Sequence, residues 1–172
     1  DWGNPIAEMM YEATRYFAGA KTPTSSFNVT TTMDTAVGLN SVTWDDPYES
    51  TSAAKAPYCS RANFLTISDI NPSFDSDSVP GSVFNSYTGD LTGLNVSTRG
   101  NTITSVESNI TGLRFIGQSS ALASSYDAAP TAKTITSLGS IRGLAPEEPT
   151  KQGSYYSASV AYHAKTTDLR PS

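Results

Sequence analysis

Apolar positions recur with helical spacing in two parts of the chain. The first predicted helix covers residues 4–18, and Asn4 and Pro5 suit its start, because Asn accepts hydrogen bonds from free helix amides and Pro lacks an N–H there. Gly19 follows as a left-handed cap. Its apolar face comprises Ile6, Met9, Met10, Ala13, Tyr16 and Phe17. A second helix is predicted at residues 154–165, packed through Tyr155, Tyr156, Val160 and Tyr162.

The pattern of a buried strand occurs at residues 62–68, which end at Asp69. Phe64, Leu65 and Ile67 make a short apolar run, which is typical of a strand inside a parallel sheet. Open α/β sheets bind ligands at the carboxyl ends of their strands, which is where Asp69 falls. Two shorter strands are predicted around Leu94–Thr98 and Leu113–Ile116.

The segments between these elements are polar. Residues 20–60 read as an excursion with little regular structure, which Trp44 and Tyr48 pin to the domain. Residues 71–90 are rich in turn signals. Residues 119–153 are mostly small and polar, and their Gly and Pro residues break any helix.

Composition and charge narrow the class of protein. The 172 residues are enough for one domain; 37% are hydrophobic, 16% are charged and more than a quarter are Ser or Thr, a hydroxyl-rich surface that fits secreted proteins. The net charge of −5 makes nucleic-acid binding a poor match and suits cations instead. No apolar run spans a bilayer and no signal peptide is present. The abrupt first residues suggest that both ends are cuts in a larger protein.

The single cysteine, Cys59, has no internal partner. In a secreted protein it is either a free thiol or half of a bridge to a residue outside this chain. The alternative is a buried small hydrophobe.

The candidate metal ligands are oxygen donors near the two best elements. Asn4 at the helix start and Asp69 at the strand end would share Mg²⁺ or Ca²⁺ if their loops are neighbours. The alternative is that Asn4 only caps its helix and Asp69 only caps a turn. Asp75 and Asp77 alternate with serines as in a calcium loop, but the Gly and closing Glu of that loop are missing, which favours a solvated turn.

Catalytic chemistry has weak support in the sequence. His163 is the only histidine, and no acidic residue close in sequence would orient it as a base. Packing or a surface position is therefore the favoured interpretation. Nucleophile elbows, phosphate loops and His/Cys zinc clusters are all missing from the sequence.

Three long strings carry a family resemblance: residues 2–19, from Trp-Gly-Asn-Pro to Phe-Ala-Gly; residues 67–82, Ile-Ser-Asp-Ile-Asn-Pro-Ser-Phe-Asp-Ser-Asp onward; and residues 132–170, with Gly-Leu-Ala-Pro-Glu-Glu-Pro-Thr-Lys-Gln-Gly-Ser-Tyr-Tyr. The chain resembles the N-terminal, von Willebrand factor A-like region of the PilC/PilY type IV pilus tip proteins. Segments 20–57 and 84–128 match poorly and read as insertions.

The resemblance implies an α/β fold, a partial doubly wound sheet over residues 1–172 whose first strand and first metal loop lie upstream. It implies a metal-ion-dependent adhesion site in which Asn4 stands where the family has Thr and Asp69 stands at the strand end. Asp69 lacks the Gly that usually follows it. A ligand's acidic group would complete the shell of Mg²⁺ or Ca²⁺.

The resemblance also implies a non-enzymatic extracellular role at the pilus tip in adhesion, pilus assembly and twitching motility. The expected partners are minor pilins and a host or abiotic surface receptor. Two rivals are kept: a purely structural pilus-assembly domain with no metal role, and a surface hydrolase that uses Ser and His163.

Overall fold

The computed structural model describes residues 3–27, 32–39, 42–49, 56–57, 59–69, 71–118, 127–144 and 152–171. Its helices and strands are, in chain order, α1 (Ile6–Phe17), a 3-10 turn (Ser25–Phe27), α2 (Thr32–Ala36), α3 (Val96–Val106), β1 (Gly112–Ile116), β2 (Thr131–Ile135), a second 3-10 turn (Leu138–Ser140) and α4 (Tyr156–Thr166). The chain forms two compact units. Unit 1 comprises Asp1–Tyr11 and Thr66–Asp168, and unit 2 comprises Glu12–Leu65 and Leu169–Ser172.

Helix α1 confirms the first predicted helix and its cap. The N–H of Gly19 donates to the carbonyl of Tyr16 (3.1 Å) and the N–H of Ala20 to that of Arg15 (3.0 Å), while Gly19 has a φ of +92°. This is the Schellman arrangement, which satisfies the last carbonyls of a helix through a left-handed residue. The same left-handed residue ends the helix after Phe17.

The buried face of α1 differs from the predicted one. The buried residues, at helical spacing, are Ala7, Tyr11, Thr14 and Arg15, whereas Met9 is 58% exposed. Arg15 can be buried because its guanidinium pairs with Glu12 (3.0 Å) and donates to the carbonyl of Thr22 (3.1 Å). The apolar pattern therefore predicted the helix correctly, but it predicted the wrong face of the helix as the buried one.

Unit 1 contains the apolar core. Strands β1 and β2 pair antiparallel, with Gly112 opposite Ile135 and Ile116 opposite Thr131. Ile116, Ile135 and Ile141 form a buried cluster, and α3 packs against α4. Helix α4 confirms the second predicted helix; it buries Tyr156, Ser159, Val160 and His163, which share one face.

Two of the three predicted strands are wrong. Residues 94–98 instead enter α3, because the side chain of Asn95 accepts a hydrogen bond from the N–H of Thr98 (2.8 Å) and caps a helix. Residues 62–68 form no strand, and their apolar side chains are exposed. A strand needs neighbours to pair with, and the described strands pair only with each other. The strand at Leu113–Ile116 is confirmed as β1.

Unit 2 shows how Trp44 and Tyr48 hold the polar excursion. Trp44 meets the Tyr16 ring edge to face at 5.7 Å, and Tyr48 meets the Phe17 ring in the same way at 5.7 Å. The predicted pinning role of the two aromatics is confirmed on the last turns of α1. The excursion also contains the short helix α2, which the sequence did not indicate.

The sheet of the described residues has two antiparallel strands. The partial von Willebrand A-like, doubly wound α/β sheet stays a prediction, as do the domain limits of residues 1–172 with insertions at about 20–57 and 84–128. Within the described part of the chain, no helix is long and apolar enough to cross a membrane.

Candidate functional site

Asn4 lies beside the loop that contains Asp69, which meets the condition that the predicted metal site requires. The Nδ2 group of Asn4 donates to the carbonyls of Asn71 (2.9 Å) and Asp69 (3.4 Å), and the hydroxyl of Ser68 donates to Asn4 Oδ1 (2.8 Å). The main chain adds two bonds: Asn4 N–H to Ser73 Oγ (2.7 Å) and Ser73 N–H to the Asn4 carbonyl (3.0 Å). Asn4 therefore ties the loop to the start of α1.

The orientation of Asn4 bears on the predicted metal site. Its amide group faces main-chain carbonyls, so the contact with Asp69 is through the main chain of that residue. Its oxygen accepts from Ser68 in place of the helix amides or a cation. Among the residues that the structure describes, no three His, Cys, Asp or Glu side chains converge to hold a metal. Metal binding by Asn4 and by the exposed Asp69 stays a prediction.

Asp75 is completely buried, which corrects the interpretation of this segment as a solvated turn. Its Oδ1 accepts from the N–H of Ser154 (2.8 Å), and its carbonyl accepts from the Ser154 hydroxyl (3.4 Å). Burial raises the pKa of Asp75 to about 7, opposed by hydrogen bonds from Ser154 and from the N–H of Ala7 in the first turn of α1. The side chain thus joins the beginnings of two helices, and its Oδ2 has no partner in the described structure.

Asp77 is paired with Glu8, a residue that sequence reasoning did not single out. Glu8 Oε1 accepts a hydrogen bond from the N–H of Ser78 (3.1 Å). Burial first, and then the neighbouring carboxyl of Asp77, raise the pKa of Glu8 to about 8. Glu8 is therefore mostly protonated at neutral pH. The position of Glu8 in the first turn of α1 was visible in the sequence, but its partner is about seventy residues away.

His163 is completely buried on α4, which agrees with the packing interpretation. Its Nδ1 lies 3.2 Å from the Arg99 guanidinium and 3.2 Å from Thr167 Oγ1. Burial, and then the positive charge of Arg99, lower its pKa. The imidazole is therefore neutral at physiological pH, and it lies in the interior of unit 1 beside a cation instead of a carboxylate.

Cys59 is exposed, so the alternative of a buried small hydrophobe is wrong. A free thiol or a disulfide to a residue outside the chain stays a prediction for it.

A groove of about 600 Å³ opens over the apolar cluster of unit 1. Ile116, Ile135 and Ile141 line its floor, and Glu107 and Arg114 lie on its walls. The Arg114 guanidinium is bonded to the carbonyls of Leu113 (2.8 Å) and Asn109 (2.6 Å). Because these bonds occupy the guanidinium group, the groove offers a ligand apolar contact more than recognition of charge.

Comparison with known proteins identifies the chain's relatives. A family model described as "PilY1 homolog, second domain" matches residues 1–164. The "Type IV pilus biogenesis factor PilY1 homolog" of Xylella fastidiosa (strain Temecula1 / ATCC 700964) is 40% identical over 169 residues. That alignment covers 93% of this chain and 11% of the relative, so the chain spans about a tenth of that protein's length.

No solved structure matches the chain. The sequence resemblance to the PilC/PilY proteins is confirmed, while the family model describes the matched region as a second domain and does not name a von Willebrand A fold. With a match over nearly its whole length, the chain belongs to the PilY1 family.

Proposed function

We propose that this chain is a binding and assembly domain of a longer type IV pilus biogenesis factor and has no catalytic role. The observation that carries the proposal is the match of residues 1–164 to the PilY1 family, together with the relative named as a pilus biogenesis factor. Minor pilins at the pilus tip and a host or abiotic surface are the proposed partners. The proposed location is the fimbrium, outside the cell.

The polar contacts of unit 1 support an assembly role over a catalytic one. Asn4, Asp75 and Glu8 direct their polar groups toward loop main chain or toward another carboxyl. Such contacts fix loops between helices and so shape a surface for a partner, which is what an assembly domain needs. His163 is completely buried, as a packing residue is.

Adhesion that depends on a divalent metal is the second candidate function. It is favoured by one observation: Asp69 is exposed on a loop that Asn4 holds at the start of α1. A carboxylate in such a place is accessible to Mg²⁺ or Ca²⁺ and to a partner's acidic group. If the domain has this second function, residues outside the chain would supply most of the metal's ligands.

Two substitutions in the full-length protein separate the candidates. Asn4→Ala removes the contacts that shape the loop, and Asp69→Ala removes the exposed carboxylate proposed to bind metal. An assembly domain predicts that Asn4→Ala lowers the number of surface pili while Asp69→Ala leaves it unchanged. Metal-dependent adhesion predicts that Asp69→Ala abolishes the Mg²⁺ or Ca²⁺ dependence of surface attachment with normal piliation.

Asp45→Ala is the matched control, because Asp45 is also an exposed aspartate but lies in unit 2. Pilus counts and attachment measured with and without a chelator complete the design. Normal piliation and attachment in all three variants would contradict a functional role for this loop.

A further inference from the structure

Phe74 has an unusual backbone conformation for an aromatic residue. Its φ is +53°, in the left-handed region. A bulky side chain is rarely found there, because its Cβ crowds the main chain, and Gly or Asn occupies such positions at lower cost. Residues held in such conformations cluster at functional sites, where the surrounding structure enforces them. The position of Phe74 therefore needs a reason other than local backbone preference.

The pinned loop, residues 71–82, is fastened to helix α1 on both sides of Phe74. Before Phe74, the N–H of Asn4 donates to Ser73 Oγ (2.7 Å), and the N–H of Ser73 donates back to the Asn4 carbonyl (3.0 Å). After Phe74, the N–H of Ser78 donates to Glu8 Oε1 (3.1 Å). The first turn of α1 and the residues just before it therefore hold the loop at two points.

The pinned loop is also fastened to the beginnings of two other helices. Asp75 Oδ1 accepts from the N–H of Ser154 (2.8 Å), just before α4. The Pro80 carbonyl accepts from the N–H of Val96 (2.8 Å), the first residue of α3. Contacts with three helices leave the loop little freedom, so its neighbours impose the conformation of Phe74.

The ring of Phe74 is partly open to solvent, although its neighbours in the pinned loop are not. Ser73, Asp75 and Ser76 are buried, whereas Phe74 is 42% exposed. The ring lies against Gly3, where an added Cβ would be 3.1 Å from Phe74 Cδ2. It is thus supported by the main chain of Gly3 and still presents apolar surface. A rigid aromatic ring of this kind suits a protein interface, because burying it costs little conformational entropy.

The chain around Phe74 is acidic. Residues 66–98 of unit 1 contain no Lys, Arg, His or Glu, and their charged residues are Asp69, Asp75, Asp77 and Asp90. Asp69 is exposed, and its carbonyl accepts from Asn4 Nδ2 (3.4 Å), which places it next to the residue that Phe74 contacts. Negative charge beside an apolar ring attracts a surface that carries Lys or Arg and repels an acidic one.

We propose that Phe74 anchors a protein partner by entering an apolar pocket that is rimmed by Lys or Arg. The inference deepens the proposed function, on which it rests: the partner is a minor pilin, and this pocket is the feature recognised. The ring supplies a large share of the affinity, as central aromatic residues do in interfaces. The acidic surroundings speed the encounter with the basic rim. The pinned loop allows the contact to form without first ordering a flexible segment.

Binding of purified minor pilins to the full-length protein tests the proposal, with biolayer interferometry as the measurement. Phe74→Ala should weaken the affinity at least ~10-fold, because an anchor carries a large share of the binding energy. Phe115→Ala is the matched control, since Phe115 is a phenylalanine of β1 that is 74% exposed, and it should leave the affinity unchanged. Equal affinity in the wild type and Phe74→Ala would overturn the inference and leave the proposed function standing. Failure of the wild type to bind would overturn both.

Two further variants separate an anchor from a residue that serves the fold alone. Phe74→Gly removes the ring but suits a positive φ, so the melting temperature should stay the same or rise slightly while pilin binding weakens as in Phe74→Ala. Phe74→Tyr keeps the aromatic ring and should keep most of the affinity. Folded Phe74→Gly protein that binds the pilins as tightly as the wild type would overturn the inference.

The salt dependence of binding tests the predicted basic rim. Raising the NaCl concentration should slow association of the wild type with the pilins, because salt screens the attraction between the acidic surroundings of Phe74 and the rim. An association rate that does not change with salt would overturn the assignment of a basic rim to the pocket.

Discussion

Units 1 and 2 are stabilised by different kinds of contact. Every fully buried hydrophobic side chain among the described residues belongs to unit 1, as Val79, Tyr156 and Val160 illustrate. In unit 2 the buried residues include Arg15 and Asp46, and aromatic rings meet edge to face beside guanidinium groups. Apolar burial is non-directional and grows with area, whereas the contacts of unit 2 depend on the geometry of each pair.

The difference predicts in which unit a single substitution should lower the free energy of unfolding more. In unit 1, removing one buried side chain leaves a cavity that the surrounding core cannot fully close. In unit 2, removing one partner releases one local contact and leaves the rest in place. The predictions below test this contrast, and they run from the largest expected effect to the smallest.

Tyr156→Ala should have the largest effect. The ring is completely buried in unit 1, and its hydroxyl donates to the Gly139 carbonyl (3.2 Å) and accepts from the Val83 N–H (3.1 Å). The loss of packing should lower the free energy of unfolding by about 3–5 kcal/mol. Denaturant unfolding measures it, with Trp44→Ala in unit 2 as the comparison. Since Trp44 is only half-buried, equal losses in the two variants would refute the contrast between the units.

Gly100→Ala tests how closely α3 packs in unit 1. An added Cβ would lie 2.7 Å from the N and Cα atoms of Gly139, which are main-chain atoms and cannot move aside. Although Ala favours a helix by about 1 kcal/mol over Gly, overpacking of this kind costs about 1–3 kcal/mol, and the net change should be destabilising. Thermal unfolding checks it. Ser105→Ala, an exposed position on α3, should be neutral or slightly stabilising.

Arg170→Ala should loosen unit 2 locally. The guanidinium donates to Asp46 Oδ2 (2.7 Å) and to the Phe17 carbonyl (2.7 Å) and lies over the Tyr48 ring at 5.0 Å. Loss of these partly exposed charged hydrogen bonds should cost about 1–2 kcal/mol. Faster amide exchange in residues 42–49, without a change in α4, is the expected readout. Arg61→Ala, at an exposed arginine, should change neither region.

At neutral pH, Glu8→Gln should have the smallest effect on stability, and it should alter mainly how stability depends on pH. The folded pKa of Glu8 is about 8 against an ordinary 4.5, so the folded state binds the proton more tightly. Its stabilisation is fully present below about pH 4.5 and is lost as pH rises through about 8. The wild type should therefore lose more stability than the variant between pH 5 and pH 9 in thermal unfolding. Parallel curves for the two proteins would show that Glu8 does not hold the proton.

The features predicted correctly are those that depend on residues a few positions apart in the sequence. Helices α1 and α4 and the cap at Gly19 follow from residues within a few positions of one another. At Leu94–Thr98, the strand preference of Val and Thr suggested the wrong element, since the cap at Asn95 decides the helix. The spacing of Asn95 and Thr98 indicates the helix, because an N-cap side chain accepts from the amide three residues further on.

Contacts between distant segments were predictable only in part. The sequence identified Asn4 and Asp69 as a pair worth testing, but it could not give the direction of the Asn4 amide, because this depends on which carbonyls the loop presents. The pairing of Glu8 with Asp77 depends on where a turn-rich loop folds back onto α1. The burial of Arg15 was not predicted for a similar reason. A buried cation requires partners, and the spacing of residues in the sequence does not reveal them.

The Arg170 contact has a mechanical consequence. Its side chain fastens the main chain at residue 170 to the end of α1 and to the loop at Asp46. Tension applied along the main chain at residue 170 would be shared between the backbone and this guanidinium clamp. Its hydrogen bonds to two separate groups could break one after the other, so unit 2 would be expected to yield gradually under load, whereas the apolar core of unit 1 would be expected to give way at once.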